Sequence, residues 1–128
     1  YQFVIPYENS HILPTLIGRL RDSQCSSFLS VLKSFGNESE GLLSFPLKGW
    51  TLAVDLSIGS PDLIPVLREI DDLIIRAGGR IYLTKDSRMN SEHLELMYPK
   101  LSKWKKIKAD VDPQNLWQSD QGRRLGLC

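Results

Sequence analysis

The stretch "SPDLIPVLREIDDLIIRAGGRIYLT" constrains the fold of this chain more than any other. Leu63, Val66, Leu67, Ile70, Leu73 and Ile74 recur at the spacing of one helical face. Ser60 can cap that helix, Pro61 suits its first position, and Gly78 with Gly79 stops it. "RIYLT" follows at once and alternates as a strand does.

The remaining elements fall into place around this pair. "YQFVIP" predicts a first strand, with Tyr1, Phe3 and Ile5 on one face, Gln2 and Val4 on the other, and Pro6 ending it. A helix follows, capped by Asn9 or Ser10 and tolerating Pro14 in its first turn, with Ile12, Leu13, Leu16, Ile17 and Leu20 at helical spacing. "SSFLSVLKSFG" predicts a second strand in which Leu29, Val31 and Phe35 alternate with Ser30 and Ser34, and "NESEG" a polar turn. "KGWTLAVDLS" predicts a third. Strand, helix, strand, strand, helix, strand is the order of a ferredoxin-like α+β sandwich, an antiparallel four-stranded sheet with two helices on one face. That unit takes residues 1–89. Over 90–128 the pattern gives a further helix, from Ser91 to about Lys108 with a break near Pro99, and then a mostly irregular tail.

Alternation also divides the sheet into two faces. Phe3, Ile5, Trp50, Leu52, Val54, Ile81 and Leu83 point at the helices. Gln2, Thr51, Ala53, Tyr82 and Thr84 point away and make a mixed surface of rather small residues. Such a face can be bare to solvent, bound to another domain, or the wall of a site.

Length and charge narrow the function. A chain of 128 residues has room for one domain with a sizeable core. Its 16 Lys and Arg are matched by 15 Asp and Glu, so it lacks the basic excess of a dedicated nucleic-acid binder. Cys25 and Cys128 stand far apart and His11 and His93 have no ligand-spaced companions, so no metal site is expected. No apolar run approaches the roughly 20 residues that cross a bilayer. A cytoplasmic place is the expectation, with peripheral membrane contact left open by "KWKKIK", a run that usually forms a solvated helix face. The chain opens on Tyr1 without an initiator methionine, which suggests a piece of a longer protein.

"GGRIYLTKDSR" raises the sharpest question, since a strand bound for the core runs straight into Lys85, Asp86 and Arg88. Asp86 and Arg88 are expected to be structural, because an aspartate just past a strand caps backbone amides or pairs with a nearby arginine. His93 is expected at the surface.

Taken together, "YQFVIP", "FPLKGWTLAVDLS", "GGRIYLTKDSRM", "MYPKLSKW" and "DPQNLWQSDQGRRLGL" resemble the C-terminal part of FAD-dependent oxidoreductases of the vanillyl-alcohol-oxidase type. The likeness is to the branch of the decaprenylphosphoryl-ribose oxidases, related to the D-arabinono-1,4-lactone oxidases. It implies that residues 1–89 are a substrate or cap domain, and that residues 90–128 pack on an N-terminal FAD-binding domain lying outside this chain. It implies FAD as cofactor, a sugar-like substrate, a secondary alcohol oxidised by hydride transfer, and a reductase as a further partner. Gln2 then matches a side chain reaching the substrate pocket, and Tyr82 with Lys85 matches a Tyr-x-x-Lys pair at flavin and substrate. Thr51 and Ala53 stand where mycobacterial members carry asparagine and cysteine, so the substrate contacts there differ. Lys85 is the implied catalytic group, a fixed cation for the negative charge that hydride transfer leaves on the flavin. Strict alternation points Lys85 to the helix side, so the chain must bulge or turn near Thr84 for it to share a pocket with Tyr82. Arg123 and Arg124 are expected to pair with the absent domain. The alternative is a freestanding ferredoxin-like binding or regulatory module that dimerises through its sheet.

Overall fold

Alternation along β1, Gln2–Pro6, decides which side of the sheet becomes the core. The computed structural model describes residues 1–23, 25 and 27–128, with Phe28 through its backbone alone. After β1 come α1, Leu13–Asp22, β2, Ser27–Phe35, β3, Gly49–Leu56, α2, Leu63–Arg76, and β4, Arg80–Ile81. The sheet order is β2-β3-β1-β4 with every neighbouring pair antiparallel, which is the ferredoxin-like arrangement. Phe3, Ile5, Leu52, Val54 and Ile81 meet Leu13, Leu16 and Leu20 of α1 and Leu63, Leu67, Ile70 and Ile74 of α2 in one core. Trp50 and Leu83 close its margin. Ile70 and Ile74 are fully buried, and each contributes about 1.5–3 kcal/mol.

Both helices begin later than their sequences suggest. Tyr7–Ile12 winds as a 3₁₀ turn ahead of α1, and Asn9 gives its side-chain amide to the Ala77 carbonyl at 3.1 Å instead of capping. α2 starts at Leu63, and Ser60 accepts the Asp62 amide at 3.3 Å just before it. Its end is strict. Gly78 has φ +67°, and a Cβ on Gly79 would lie 2.4 Å from the Val4 carbonyl oxygen. Only glycine allows β4 to approach β1 so soon after the helix.

Strand β4 is shorter than "RIYLT" predicts, because the chain makes one last bond to β1 through the Tyr82 amide and then winds into a 3₁₀ turn. The Ile81 amide donates to Met97 Sδ at 3.3 Å, and its carbonyl accepts from the Tyr98 hydroxyl at 2.6 Å. Burial holds that phenol well above its ordinary pKa, so it remains a donor. The Met97-Tyr98 pair thereby seals a sheet edge that would otherwise expose backbone. In β2 the described strand opens at Ser27; Ser26, where the predicted strand began, lies outside the described residues.

The C-terminal segment is more regular than expected. It forms α3, Ser91–Met97, α4, Leu101–Val111, and α5, Asp120–Leu125. Asn90 caps α3 by accepting the His93 amide at 2.8 Å, and Ser119 caps α5 by accepting the Gly122 amide at 2.9 Å. Leu94, Met97, Tyr98, Leu101 and Leu125 extend the core begun by the sheet. Among the described residues no helix is long and apolar enough to cross a membrane.

Candidate functional site on the open sheet face

Register brings three of the expected site residues into one row. Gln2 faces Ala53 across β1 and β3, and the Tyr82 amide donates to the Gln2 carbonyl at 2.9 Å. Neighbouring strands are about 4.8 Å apart, so Tyr82, Gln2 and Ala53 span about 10 Å. Val31 of β2 pairs with Ala53 and continues the row, a residue the sequence reading assigned no role. Thr51 lies one row away and is fully buried. Its hydroxyl accepts from Gln2 Nε2 at 3.0 Å, so it fixes the amide of Gln2 and leaves Gln2 Oε1 as the free end.

The face is only partly open, because residues 36–48 cross it as a strap. Glu38 pairs with Lys100 at 2.7 Å and with Arg80 at 3.5 Å, and Arg80 donates to the Ser44 carbonyl at 2.7 Å. The Phe45 ring reaches from Phe35 on one edge strand to Tyr82 beyond the other. Val4 and Thr51, in the row beneath, are completely covered, while Tyr82 and Ala53 stay half-buried. The sequence reading left the face's cover open, and local periodicity carries no sign of a strap. Lys100, and less strongly Arg80, lower the Glu38 pKa below its ordinary value. A lowered carboxylate pKa adds stability above its unfolded value, about 4.3, that is lost as pH falls through the folded one. Acid is therefore expected to speed amide hydrogen exchange in residues 38–46 before the core strands β1 and β3 respond. Equal exchange in strap and strands would show that Glu38 does not anchor it.

Lys85 closes a 3₁₀ turn, Leu83–Lys85, so the chain does turn at Thr84. Its exposed side chain lines a cleft of about 140 Å³ with Tyr1, Leu56, Ile58, Leu63 and Leu67, at the end of the sheet where β1 begins. Tyr82 and Gln2 do not line that cleft, and Leu63 and Leu67 come to it from α2, so the turn leaves Lys85 at a cleft apart from the row. Among the described residues Lys85 has no ion-pair partner. Thr84 is exposed.

The neighbouring charges have structural work. The Asp86 carboxylate accepts the amides of Arg88 at 3.0 Å and Met89 at 2.8 Å and faces Arg124 at 2.9 Å. Arg88 forks onto the fully buried Asp71 at 2.7 and 2.5 Å and also donates to the Leu67 carbonyl at 3.2 Å. The Tyr1 hydroxyl donates to the same carboxylate at 2.6 Å, and burial together with Asp71 holds that phenol well above its ordinary pKa. Asp71 Oδ2 and Asp86 Oδ2 meet their guanidinium partners without well-directed hydrogen bonds, so the attraction there is coulombic. Arg124 is thus occupied within the chain, donating also to the Met89 carbonyl, and Arg123 pairs with Asp120. Both arginines that the sequence suggested for an interdomain contact therefore have partners within the chain.

A separate apolar cavity of about 450 Å³ lies on the helix side, lined by Leu20, Cys25, Leu52 and Val54. Its β2 wall is made of the small side chains Ser27 and Ser30, opposite Leu56 and Val54 of β3. Among the described residues its one lining charge, Arg21, is paired with Asp22 at 2.8 Å.

No family model matches the chain. It is 39% identical over 127 residues to decaprenylphosphoryl-beta-D-ribose oxidase of Mycolicibacterium smegmatis, a match that covers 99% of the chain and 27% of that protein. It is also 39% identical over 127 residues to an uncharacterized protein in the mprA 5' region of Streptomyces coelicolor, covering 99% of the chain and 35% of the relative. The resemblance carried by the five segments therefore holds across the whole chain, and the chain spans 27–35% of the length of these curated relatives.

Proposed function

We propose that this chain is the substrate-binding part of an FAD-dependent oxidoreductase that oxidises a secondary alcohol of a sugar or sugar derivative. One observation carries the reading: in a chain similar to an oxidase over 99% of its length, Tyr82, Gln2 and Ala53 form a half-open row, and Lys85, without an ion-pair partner among the described residues, follows Tyr82 by one 3₁₀ turn. The residues suit the cofactor. A sheet face with a small residue at Ala53 admits a planar ring, and a cation one turn beyond Tyr82 suits a ring that becomes anionic on reduction. FAD, when bound, takes up the hydride that the carbinol carbon gives up. Lys85 supplies the positive charge, Gln2 Oε1 accepts from a substrate hydroxyl, Thr51 holds Gln2 in that orientation, and the Tyr82 phenol walls the pocket. Ala53 leaves room above the row. A reductase acting on the resulting ketone is the partner this reading implies.

FAD itself would be held mainly by a domain N-terminal to these residues. The surface that meets it is formed by Ile107 and Val111 of α4 with Leu116 and Trp117, which are 72% and 70% exposed. Asp112 accepts the amides of Leu116 at 2.8 Å and Trp117 at 3.0 Å, which braces the backbone that presents these two apolar side chains. Exposed apolar groups on a braced turn mark a contact surface. The native gene product is expected to purify yellow, and hydroxyl-radical oxidation followed by mass spectrometry is expected to spare Trp117. A colourless protein that gains no visible absorption with added FAD contradicts the flavoprotein reading. A freely oxidised Trp117 contradicts the contact.

A further inference from the structure

The strap across the open face ends in an aromatic contact that neither the motifs nor the proposed roles use. The Phe45 ring lies 4.5 Å from the Tyr82 ring, with 23° between their planes, and meets Phe35 edge-on at 5.7 Å. Phe45 is 5% exposed, whereas Tyr82 is half-buried. Among the described residues the Tyr82 hydroxyl makes no hydrogen bond; its backbone alone is engaged, the amide with Gln2 and the carbonyl with the Lys85 amide. A phenol with an untethered hydroxyl takes its direction from whatever packs on its ring. Here that partner is Phe45, fixed by Phe35 on one side and by the Arg80 bond to the adjacent Ser44 carbonyl on the other.

We propose that Phe45 is a positioning residue for Tyr82, holding the phenol ring against the strap so that its unpaired hydroxyl faces a ligand seated over Gln2 and Ala53. The assignment rests on the oxidoreductase reading and deepens it. It makes the strap one wall of the pocket, so recognition of the sugar depends on a segment far in sequence from the Tyr-x-x-Lys pair. A ring held in advance spares the ligand the cost of ordering it.

The test uses the native gene product with Phe45→Leu, which keeps an apolar group and loses the ring, and Phe45→Tyr, which restores the ring. Carbon-13-labelled tyrosine, with Tyr82→Phe for assignment, reports the Tyr82 ring resonance without any ligand. A panel of methyl pentosides and hexosides reports KM and kcat. Phe45→Leu is expected to move the Tyr82 resonance out of its stacked position. It is also expected to raise KM by about 2- to 10-fold, the range that one aromatic pair supports, with kcat nearly unchanged. Phe45→Tyr is expected to restore both. An unmoved resonance, or a fall in thermal stability with KM unchanged, overturns the assignment, as does failure of Phe45→Tyr to rescue. A colourless protein would instead sink the oxidoreductase reading, and the resonance would still report whether Phe45 sets the Tyr82 ring. Yellow protein bleached by a glycoside, with KM indifferent to Phe45→Leu, would sink the Phe45 assignment alone.

Discussion

Replacing Asp71 by alanine is expected to lower the unfolding free energy by about 3–5 kcal/mol, the cost of leaving one member of a buried ion pair without its partner. Asp71 is fully buried in the face of α2 that packs on the sheet, where it receives Arg88 through two nitrogens and the Tyr1 hydroxyl through a third contact. Removing the carboxylate strands the guanidinium between the Leu67 carbonyl and the Tyr1 ring, over which it sits at 5.5 Å. Arg88→Met is expected to cost a similar amount, because it leaves the fully buried Asp71 carboxylate with the neutral Tyr1 hydroxyl as its remaining partner. The double change to Asp71→Leu with Arg88→Met should recover much of the loss, since apolar groups of similar volume often replace a buried pair at little cost. Urea unfolding of the three variants decides the matter. A loss below about 1 kcal/mol for Asp71→Ala would give the pair only the worth of a surface salt bridge.

The second large effect is chemical. Lys85→Ala is expected to slow alcohol-dependent flavin reduction by about 100- to 1,000-fold, the range seen when one preorganised charge-stabilising donor is removed. It should leave stability within about 0.5 kcal/mol, because the side chain is exposed and has no ion-pair partner among the described residues. Stopped-flow reduction and urea unfolding of the same variant separate the two outcomes. A variant that reduces its flavin at the normal rate would move the catalytic charge to another residue.

These two expectations show what the sequence made legible. The stripe along α2 and the two glycines after it gave the helix, its packing face and the abrupt entry into β4, because periodicity and backbone freedom are local properties. Asp71 was invisible for the same reason. It occupies an inward position between Ile70 and Ile74, and only the fold shows that Arg88 and Tyr1 arrive there to neutralise it. The charges after β4 thus divide: Arg88 and Asp86 lock the turn to α2 and α5, and Lys85 alone of the three has no ion-pair partner among the described residues.

The open face was legible as a face and not as a half-covered one. Alternation placed Gln2, Ala53 and Tyr82 on the same side, and the register then put them in one row. The burial of Thr51 under the strap, and the stacking of Phe45 on Tyr82 37 positions away, leave no periodic trace. α5 could have been read, since Ser119 precedes "DQGRRL" as a cap and Gly126 follows as a stop. Its polar composition disguised it as tail.

The measurement that reaches the central claim most directly is the visible absorption of the native gene product, recorded anaerobically before and after addition of sugar alcohols and glycosides. The expected result is a flavin spectrum that bleaches with a subset of these compounds and bleaches far more slowly in Lys85→Ala. A protein with no flavin absorption, unchanged by added FAD, would contradict the account and leave the sheet face as the surface of a binding module.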